Sequence, residues 1–465
     1  MRTIIFFSLL CVSLVYFSYS IFWRVSYICL GKEEKTDSDL LGRWKYLLKR
    51  IFLNEKINEF PLVAILHSFI FWGFLVLTLS SFDLAAVFLF GKNIPFIGTN
   101  AGFVLVRDTF LLLTLIAVVG FTIRRLYVKI YLKESWLHSS YKAYGILWLI
   151  AGIVLTELLF LAGSTKLEKL TMPETAYLVN ALSVDWSFSA EATLIIAVEV
   201  CWWLHFLLIF SFFFIIPNTK HLHLFFAPFN VYWHSTRAKG ALPPADLDLN
   251  SKQQDCGLKT IEDFTRKQLL DTFSCVLCGR CHKYCPSELS KERLKPKRIN
   301  GFIRSYLEEE GREIWRAKAL QAATAAPASE SDQLIAVKQR AGQKTQLKKV
   351  VGDLFRSDFI WSCTTCGACN EACPLDIDHL SKIIGMRRNI ISENNNISEE
   401  LQQVFSGIEN CGNPFAIPRP DYPNNLRWLS ETGCISFKDK PAAEYLLFFG
   451  CQALFERTAR QAAEA

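Results

Sequence analysis

Long apolar runs alternate with short polar segments over the first half of the chain. A helix needs about 20 mostly apolar residues to cross a bilayer. Five runs meet this requirement, and the first two contain no charged residue. The runs cover residues 3–23, 60–82, 101–123, 143–163 and 192–217. The pattern therefore predicts five membrane-spanning helices.

The first run also resembles the apolar core of a signal peptide. Its apolar stretch is long, no cleavage site flanked by small residues follows it, and a basic segment comes next. We therefore expect this run to be a membrane anchor.

Lysine and arginine residues concentrate in alternate connections between the runs. The connection between the first and second runs holds eight of them. Arg124, Arg125, Lys129 and Lys133 follow the third run, whereas the opposite connections carry only Lys92, Lys166 and Lys169. Because positive charge marks cytoplasmic loops, we expect a multi-pass protein of the inner (cytoplasmic) membrane. Its N-terminus would lie outside and the second half of the chain in the cytoplasm.

The composition supports this division into a membrane part and a polar part. Apolar residues make up 51% of the chain and charged residues 20%, against roughly 25% charged residues in ordinary soluble domains. The net charge of +7 comes from basic residues beside the apolar runs. A nucleic-acid partner is therefore not expected.

Two copies of one cysteine motif occupy the second half. Each reads C-x2-C-x2-C-x3-C-P, in which three thiolates bind one [4Fe–4S] cluster and the fourth binds the other cluster. Zinc sites instead pair two C-x2-C units across a longer loop, and thiolate ligands suit a reducing cytoplasm. The rule assigns Cys275, Cys278, Cys281 and Cys373 to the first cluster, and Cys363, Cys366, Cys369 and Cys285 to the second.

Histidines inside a membrane are costly and usually functional. His205 lies within the fifth run, His67 near the start of the second, and His221 and His223 after Pro217. On a continuous helix the 18 residues from His205 to His223 would make five turns and rise about 27 Å. His205 and His223 would then lie on the same face of the helix at two depths in the membrane, as the ligands of two stacked haems do. Alternatively, His205 bonds a neighbouring helix, and His221 and His223 are interfacial side chains.

Residues 205–223 resemble the last span of the respiratory nitrate reductase gamma subunit family. That family has five spans, an outside N-terminus and two haem-ligating histidines eighteen residues apart, which His205 and His223 match. In the second span, His67 matches one further ligand, but Leu77 stands where the other is expected. The resemblance implies one haem b held by His67 and His223 near the cytoplasmic face. A second haem would depend on His205 with an unidentified partner, so the haem count stays open.

Two acidic residues lie in the outer halves of predicted spans. Glu157 is in the fourth run and Glu199 in the fifth. Because charge within a membrane often marks a proton path, we expect one of them to accept protons from a quinol. Arg107 and Asp108 lie nearer the outer end of the third run, where an interfacial ion pair is the alternative.

The tail resembles the opening of a cysteine-rich CCG domain. The resemblance covers residues 444–461, and their first part reads as a strand that ends in Gly450 and Cys451. The stretch at 410–416 is also typical of membrane iron–sulfur oxidoreductases. A buried strand thiol is the alternative for Cys451. The family implies a full CCG domain after this opening, on a longer chain or on a separate subunit.

Taken together, these segments resemble membrane-bound heterodisulfide-reductase-related oxidoreductases. The expected fold is mainly α, a five-helix transmembrane bundle followed by a helical two-[4Fe–4S] ferredoxin-type domain. The expected domains are residues 1–224 (cytochrome b-like), 225–262 (linker), 263–385 (two clusters) and 386–465 (tail). Within the cluster domain, residues 303–315 read as a helix and 322–332 as a flexible insertion.

The resemblance implies an oxidoreductase or the electron-transfer subunit of one. Electrons would pass between a soluble carrier, such as electron-transfer flavoprotein or a heterodisulfide-reductase-like subunit, and the membrane quinone. The alternative is a membrane ferredoxin without haem, which would serve assembly of, or electron supply to, a respiratory enzyme. The quinone type and the direction of electron flow stay open.

Overall fold

In the computed structural model, the regular secondary structure of the described residues is helical. No strand occurs in the described part, which has only two isolated bridges, Lys32 with Thr265 and Val351 with Phe355. The described residues are 1–34, 39–53, 55–98, 100–132, 141–170, 172–185, 191–237, 241–242, 257–325, 347–394, 399–431, 433–436, 439, 442, 444–446 and 450–464.

Five helices are long and apolar enough to cross a membrane, which confirms the predicted spans. They cover Arg2–Ile28, Pro61–Phe90, Ala101–Tyr127, Ala143–Lys166 and Glu191–Asn218. The first half contains helices α1 (Arg2–Ile28), α2 (Leu40–Phe52), α3 (Pro61–Phe90), α4 (Ala101–Tyr127), α5 (Tyr141–Lys166), α6 (Tyr177–Asp185), α7 (Glu191–Ile215) and α8 (His223–Tyr232).

Local sequence signals set the ends of these helices, and aromatic side chains fill their core. Asn100 caps α4 by accepting a hydrogen bond from the Phe103 amide at 3.0 Å, as short polar side chains do at helix N-termini. Gly91 ends α3 with φ +70°. At the centre, the fully buried Trp202 stacks on Phe88 with ring centroids 3.9 Å apart.

The chain is not one continuous helix between His205 and His223, so that expectation is wrong. Helix α7 stops at Ile215, and a 3-10 turn at Ile216–Asn218 contains Pro217, whose ring has no amide hydrogen to continue the helical bonding. Thr219 is extended, with φ −132° and ψ 178°. This break brings the rings of His221 and His223 to 5.9 Å from each other.

The cysteine half is built from short helices around one long helix. The long helix α12 contains the predicted helix at 303–315, which is confirmed, and residues 326–332 of the predicted insertion lie outside the described residues. The helices are α9 (Arg266–Ser274), α10 (Arg280–Lys283), α11 (Pro286–Leu289), α12 (Pro296–Ala325), α13 (Ser357–Trp361), α14 (Ala368–Glu371) and α15 (His379–Asn394).

The membrane helices and the cysteine half form one compact unit, Met1–Asp246 with Gly257–Arg387. Trp23 of α1 packs edge-on against Trp315 of α12, with ring centroids 5.7 Å apart. One turn further along, Gly311 approaches Tyr27 so closely that a Cβ atom would lie 2.9 Å from the ring. Polar contacts described below add to this packing.

A second unit comprises Leu247–Cys256 and Arg388–Ala465. Asn413 organises the turn at 410–416, because its Oδ1 accepts from the Phe415 amide at 3.0 Å and its Nδ2 donates to the Ile417 carbonyl at 2.7 Å. Cys451 is half-buried at the start of a short helix. Residues 447–449 of the predicted strand lie outside the described residues. The helices are α16 (Glu399–Cys411), α17 (Tyr422–Glu431), α18 (Cys451–Phe455) and α19 (Arg457–Glu464).

Candidate redox centres

Each copy of the cysteine motif contributes three thiols to one pocket and a fourth thiol to the other pocket. This exchange is the arrangement that the ferredoxin rule describes. The first pocket is lined by Cys275, Cys278, Cys281 and, from the second motif, Cys373. The second pocket is lined by Cys363, Cys366, Cys369 and, from the first motif, Cys285.

The two motifs share an unusual backbone conformation. Leu277 and Thr365, each just before the second cysteine of its motif, have φ +52° and +54°. Positive φ is uncommon outside glycine and is a clear outlier for a β-branched residue such as threonine. The conformation aims the Thr365 amide at the Cys363 sulfur, 3.3 Å away. The backbone strain therefore serves a hydrogen bond to a ligand sulfur.

Glycines follow the second cysteine in both motifs. Gly279 and Gly367 have φ +86° and +75° and begin helices α10 and α14. These helices carry Cys281 and Cys369, the third thiol of each motif. Glycine adopts this backbone conformation without steric cost, so the motif needs it there.

The spacing of the thiols suits a cluster better than a single ion. Among the described residues, no three His, Cys, Asp or Glu side chains are close enough to hold one metal ion, although four cysteines line each pocket. A zinc ion needs every sulfur at about 2.3 Å from the metal. The donor set and its spacing therefore fit a [4Fe–4S] cluster in each pocket.

Burial keeps the metal-free thiols protonated at neutral pH. It raises the pKa of Cys275 to about 11 and that of Cys369 to about 12. Since iron binds the thiolate, loading of either pocket must release protons.

The two pockets differ in their surroundings. Cys366 of the second pocket is exposed to solvent, whereas Cys278 of the first is half-buried. Lys220, just after the fifth span, interacts electrostatically with Cys278. The pKa of Lys220 is lowered to about 8, chiefly by burial and also by Arg125, and Cys278 acts in the opposite direction. The first pocket therefore lies beside the membrane helices and the second opens towards water.

Arg280 attaches the first pocket to the membrane domain. It lies between the second and third cysteines of its motif, and its guanidinium donates to the Lys56 carbonyl at 2.5 Å. The same group lies over the Phe60 ring, 4.9 Å from its centroid. It is also near enough to His67 for a direct charge interaction. This role is not predicted from the sequence, because it depends on a contact with Lys56, 224 residues away along the chain.

His67 and His223 lie close together at this end of the bundle. The Nδ1 of His223 donates to the Lys220 carbonyl at 2.8 Å, which leaves Nε2 as the free ligating atom. Burial lowers the pKa of His223 to about 4, so the imidazole is neutral. Among the described residues the buried Nδ1 of His67 has no hydrogen-bond partner. The chemistry of these two imidazoles, one with a free Nε2 and one with an unpartnered Nδ1, fits a metal-ligating pair.

His205 has a different environment at the centre of the bundle. Its Nδ1 lies 3.0 Å from the Ile153 carbonyl, and its Nε2 lies 3.1 Å from the Ser81 hydroxyl. The ring is fully buried. Both ring nitrogens of His205 therefore have hydrogen-bond partners on neighbouring helices. This environment matches the alternative in which His205 bonds a neighbouring helix and ligates no haem.

The two candidate proton acceptors are also unlike each other. Glu157 is fully buried, and neither carboxylate oxygen has a hydrogen-bond partner among the described residues. Glu199 forms an ion pair with Arg2 at 2.7 Å, and its side chain is 34% exposed. Burying a carboxylate without partners is costly, so Glu157 is the residue whose environment calls for a functional explanation.

Arg107 and Asp108 form a buried ion pair at 2.9 Å. Asp108 also accepts hydrogen bonds from the Leu178 and Val179 amides at 3.1 and 3.2 Å. The ion pair named as the alternative is therefore present, and both of its side chains are buried. The pair fastens the first turn of α6 to α4.

A family model described as a 4Fe-4S dicluster domain matches residues 271–377. This range contains the cysteines of both pockets. The chain thus carries a 4Fe–4S dicluster domain. The prediction of iron–sulfur clusters is confirmed.

Three relatives place this dicluster domain in a wider context. The chain is 26% identical over 461 residues to the probable iron-sulfur-binding oxidoreductase FadF of Bacillus subtilis, across 96% of this chain and 64% of that protein. It is 29% identical over 473 residues to the EtfAB:quinone oxidoreductase of Syntrophomonas wolfei, across 96% of this chain and 63% of that protein.

The third relative matches a shorter part. It is a probable membrane-anchored ferredoxin of Chromohalobacter salexigens, 28% identical over 206 residues, which are 44% of this chain and 28% of that protein. No solved structure matches the chain. The chain is therefore a multi-pass membrane iron–sulfur protein related to iron–sulfur oxidoreductases, and it spans less than two thirds of the first two relatives.

Proposed function

We propose that this protein transfers electrons between a soluble redox partner in the cytoplasm and quinone in the inner membrane, through two [4Fe–4S] clusters and one haem b. The contact of Arg280 with the Lys56 carbonyl carries this proposal. It fixes the first cysteine pocket against the membrane bundle beside His67 and His223. A redox centre in the dicluster domain and one in the membrane would then be neighbours.

The second pocket is the side on which a soluble partner would dock. Cys366 is exposed there, so an electron carrier can approach this pocket without passing through protein. A relative named EtfAB:quinone oxidoreductase supports electron-transfer flavoprotein as a partner class and quinone as the membrane carrier.

His67 and His223 would hold the haem. When bound, the haem would supply a one-electron carrier at membrane depth. The Lys220 carbonyl fixes the tautomer of His223, and α3 carries His67. His205 retains its two hydrogen-bond partners, so the proposal includes one haem and not a second.

Glu157 is the proposed acceptor of protons released when quinol is oxidised. Its full burial and unpartnered oxygens support this role over that of Glu199, whose charge is already balanced by Arg2. The proposed orientation places the N-terminus and Glu157 on the outer side and the dicluster domain in the cytoplasm. The basic connections on the cytoplasmic side support it.

Optical and EPR spectroscopy of the full-length protein in detergent, purified without oxygen, tests the proposal. We expect a low-spin haem b spectrum, two interacting cluster signals, and reduction of the haem when a quinol analogue is added. A protein with two clusters and no haem would overturn the proposed path between quinone and the dicluster domain.

A membrane-anchored ferredoxin without haem is the second candidate. The similarity to the probable membrane-anchored ferredoxin of Chromohalobacter salexigens favours it, as do the two hydrogen-bond partners of His205. In that case the membrane helices would serve as an anchor, and the clusters would supply electrons to, or take part in the assembly of, a respiratory enzyme. The same haem measurement separates the two candidates.

A further inference from the structure

A buried lysine lies behind the first cysteine pocket. Lys382 of α15 is fully buried, and its ammonium lies 3.2 Å from Asp271 Oδ2. The same ammonium donates to Asn300 Oδ1 at 2.7 Å. The proposed path of electrons through the clusters and the haem does not use this lysine. A buried ammonium is strongly disfavoured unless charged or polar groups pair with it.

Asp271 does not by itself balance the buried positive charge. Its other oxygen, Oδ1, lies 2.6 Å from the ammonium of Lys267, and its carboxylate is fully buried. Two ammonium groups therefore share one carboxylate, which leaves this group of three with one net positive charge. In the protein interior such a charge acts over a longer range than in water.

Asn300 is the second partner of the Lys382 ammonium. It is buried, with 1% of its surface exposed, and its Nδ2 has no hydrogen-bond partner among the described residues. The first pocket adjoins this group, because Asp271 lies one helical turn before Cys275 in α9 and its carbonyl accepts a hydrogen bond from the Cys275 amide at 3.0 Å. The orphaned amide nitrogen is therefore a donor available to a bound cluster.

We propose that Lys382 and Asn300 set the reduction potential of the cluster in the first pocket. Lys382 binds the amide oxygen of Asn300, which polarises the amide, and the unpartnered amide nitrogen would donate to the Cys275 sulfur when a cluster is bound. Uptake of one electron adds one negative charge to the cluster. A hydrogen bond to a ligand sulfur and a nearby positive charge both stabilise that added charge, and they therefore raise the potential.

The second pocket lacks this arrangement in the described part of the chain. Its first thiol, Cys363, accepts a hydrogen bond from the Thr365 backbone amide. It also interacts electrostatically with Arg387, which lies nearer the surface. Lys382 and Asn300 are positioning residues, because they act through Cys275 and touch no substrate. Their removal should shift one of the two cluster potentials and leave the other unchanged.

The test is a redox titration of the purified full-length protein, followed by EPR, with no quinone or soluble partner present. In Lys382→Met we expect one of the two cluster transitions to move to lower potential. At a fixed potential, the ratio of reduced to oxidised cluster should fall about tenfold or more, which is 59 mV for one electron. Asn300→Leu should move the same transition in the same direction.

Two control variants separate charge from packing. Lys382→Arg keeps the positive charge, and Lys348→Met removes an exposed ammonium of the same half of the chain, whose side chain is 45% exposed. Both should keep the two transitions of the unmodified protein. In Lys382→Met, Asp271 retains Lys267 as its partner, so no carboxylate is left unpaired.

Unchanged potentials in a Lys382→Met protein with its full iron content would overturn the proposal. If Lys382→Met loses iron, Asn300→Leu decides the question by the same criterion. Loss of iron in both variants would assign the two residues a structural role only. The proposal depends on the clusters and not on the haem or quinone, so its failure leaves the proposed function intact.

Discussion

Asn230 donates a hydrogen bond from Nδ2 to the carbonyl oxygen of Leu375 at 2.7 Å. Asn230 belongs to α8, which follows the fifth span, and Leu375 lies two residues after the Cys373 thiol of the first pocket. The Oδ1 of the same side chain accepts from Lys267 at 3.0 Å. One fully buried amide thus holds a ligand loop against the membrane domain.

Replacement of Asn230 by alanine should weaken cluster retention. The change removes the donor to the Leu375 carbonyl and one of the two acceptors of the Lys267 ammonium, which keeps Asp271 as its partner, at a cost of about 1–3 kcal/mol. We expect faster loss of the cluster absorption band in a chaotrope, measured as a half-life at fixed temperature. Asn410→Ala, which removes one exposed contact with Ser406, is the control. Equal half-lives for the two variants would contradict this role of Asn230.

Gly367→Ala should also shorten the lifetime of the clusters. A methyl group there meets no atom within 4 Å, but φ is +75°, so the cost comes from the backbone alone and amounts to about 1–2 kcal/mol. Gly301→Ala is a matched control, because it has the same open space and an ordinary helical backbone. We expect Gly301→Ala to equal or exceed the unmodified protein in cluster half-life. The same half-life for both variants would show that the left-handed backbone of the motif is not required.

His223→Ala should abolish the low-spin haem b spectrum, and so should His67→Ala. His205→Ala should retain it, because both nitrogens of His205 already bind protein groups. His221→Ala should also retain it, since the Lys220 carbonyl fixes the tautomer of His223 and not that of His221. The measurement is the reduced-minus-oxidised optical spectrum. A normal spectrum in both His223→Ala and His67→Ala would exclude the proposed ligands.

Glu157→Gln should slow reduction of the haem by a quinol analogue by roughly 100-fold, the lower range for loss of a proton-transfer group. Glu199→Gln should have little effect, because Arg2 already compensates the charge of Glu199. Stopped-flow absorbance of the haem band measures both rates, and the haem content of each variant serves as the control. Equal rates for the two variants would remove Glu157 from the proton path.

The sequence was sufficient to predict the features that depend on local composition or on fixed spacing. The five spans follow from the length of apolar runs, and the exchange of Cys285 and Cys373 between pockets follows from the geometry of the ferredoxin motif. Both are properties of short stretches of chain, so they do not require knowledge of tertiary contacts.

Other features depend on contacts between distant segments and could not be predicted. The sequence predicts a continuous helix from His205 to His223, but α7 ends at Ile215, just before Pro217. A proline can kink a helix or end it, and contacts with neighbouring helices decide which of the two occurs. Arg280 and Asn300 look like ordinary polar residues in the sequence. Their roles arise from the Lys56 carbonyl and the Lys382 ammonium, which lie 224 and 82 residues away along the chain.

The packing of Trp23 against Trp315 has a consequence for the order in which the protein is assembled. The surface that receives the dicluster domain is contributed by α1, the first of the five spans, and by α8, which the ribosome makes after the fifth span. Insertion of the membrane half must therefore be finished before that surface exists. Until then, the newly made cysteine segment has no surface on which to dock.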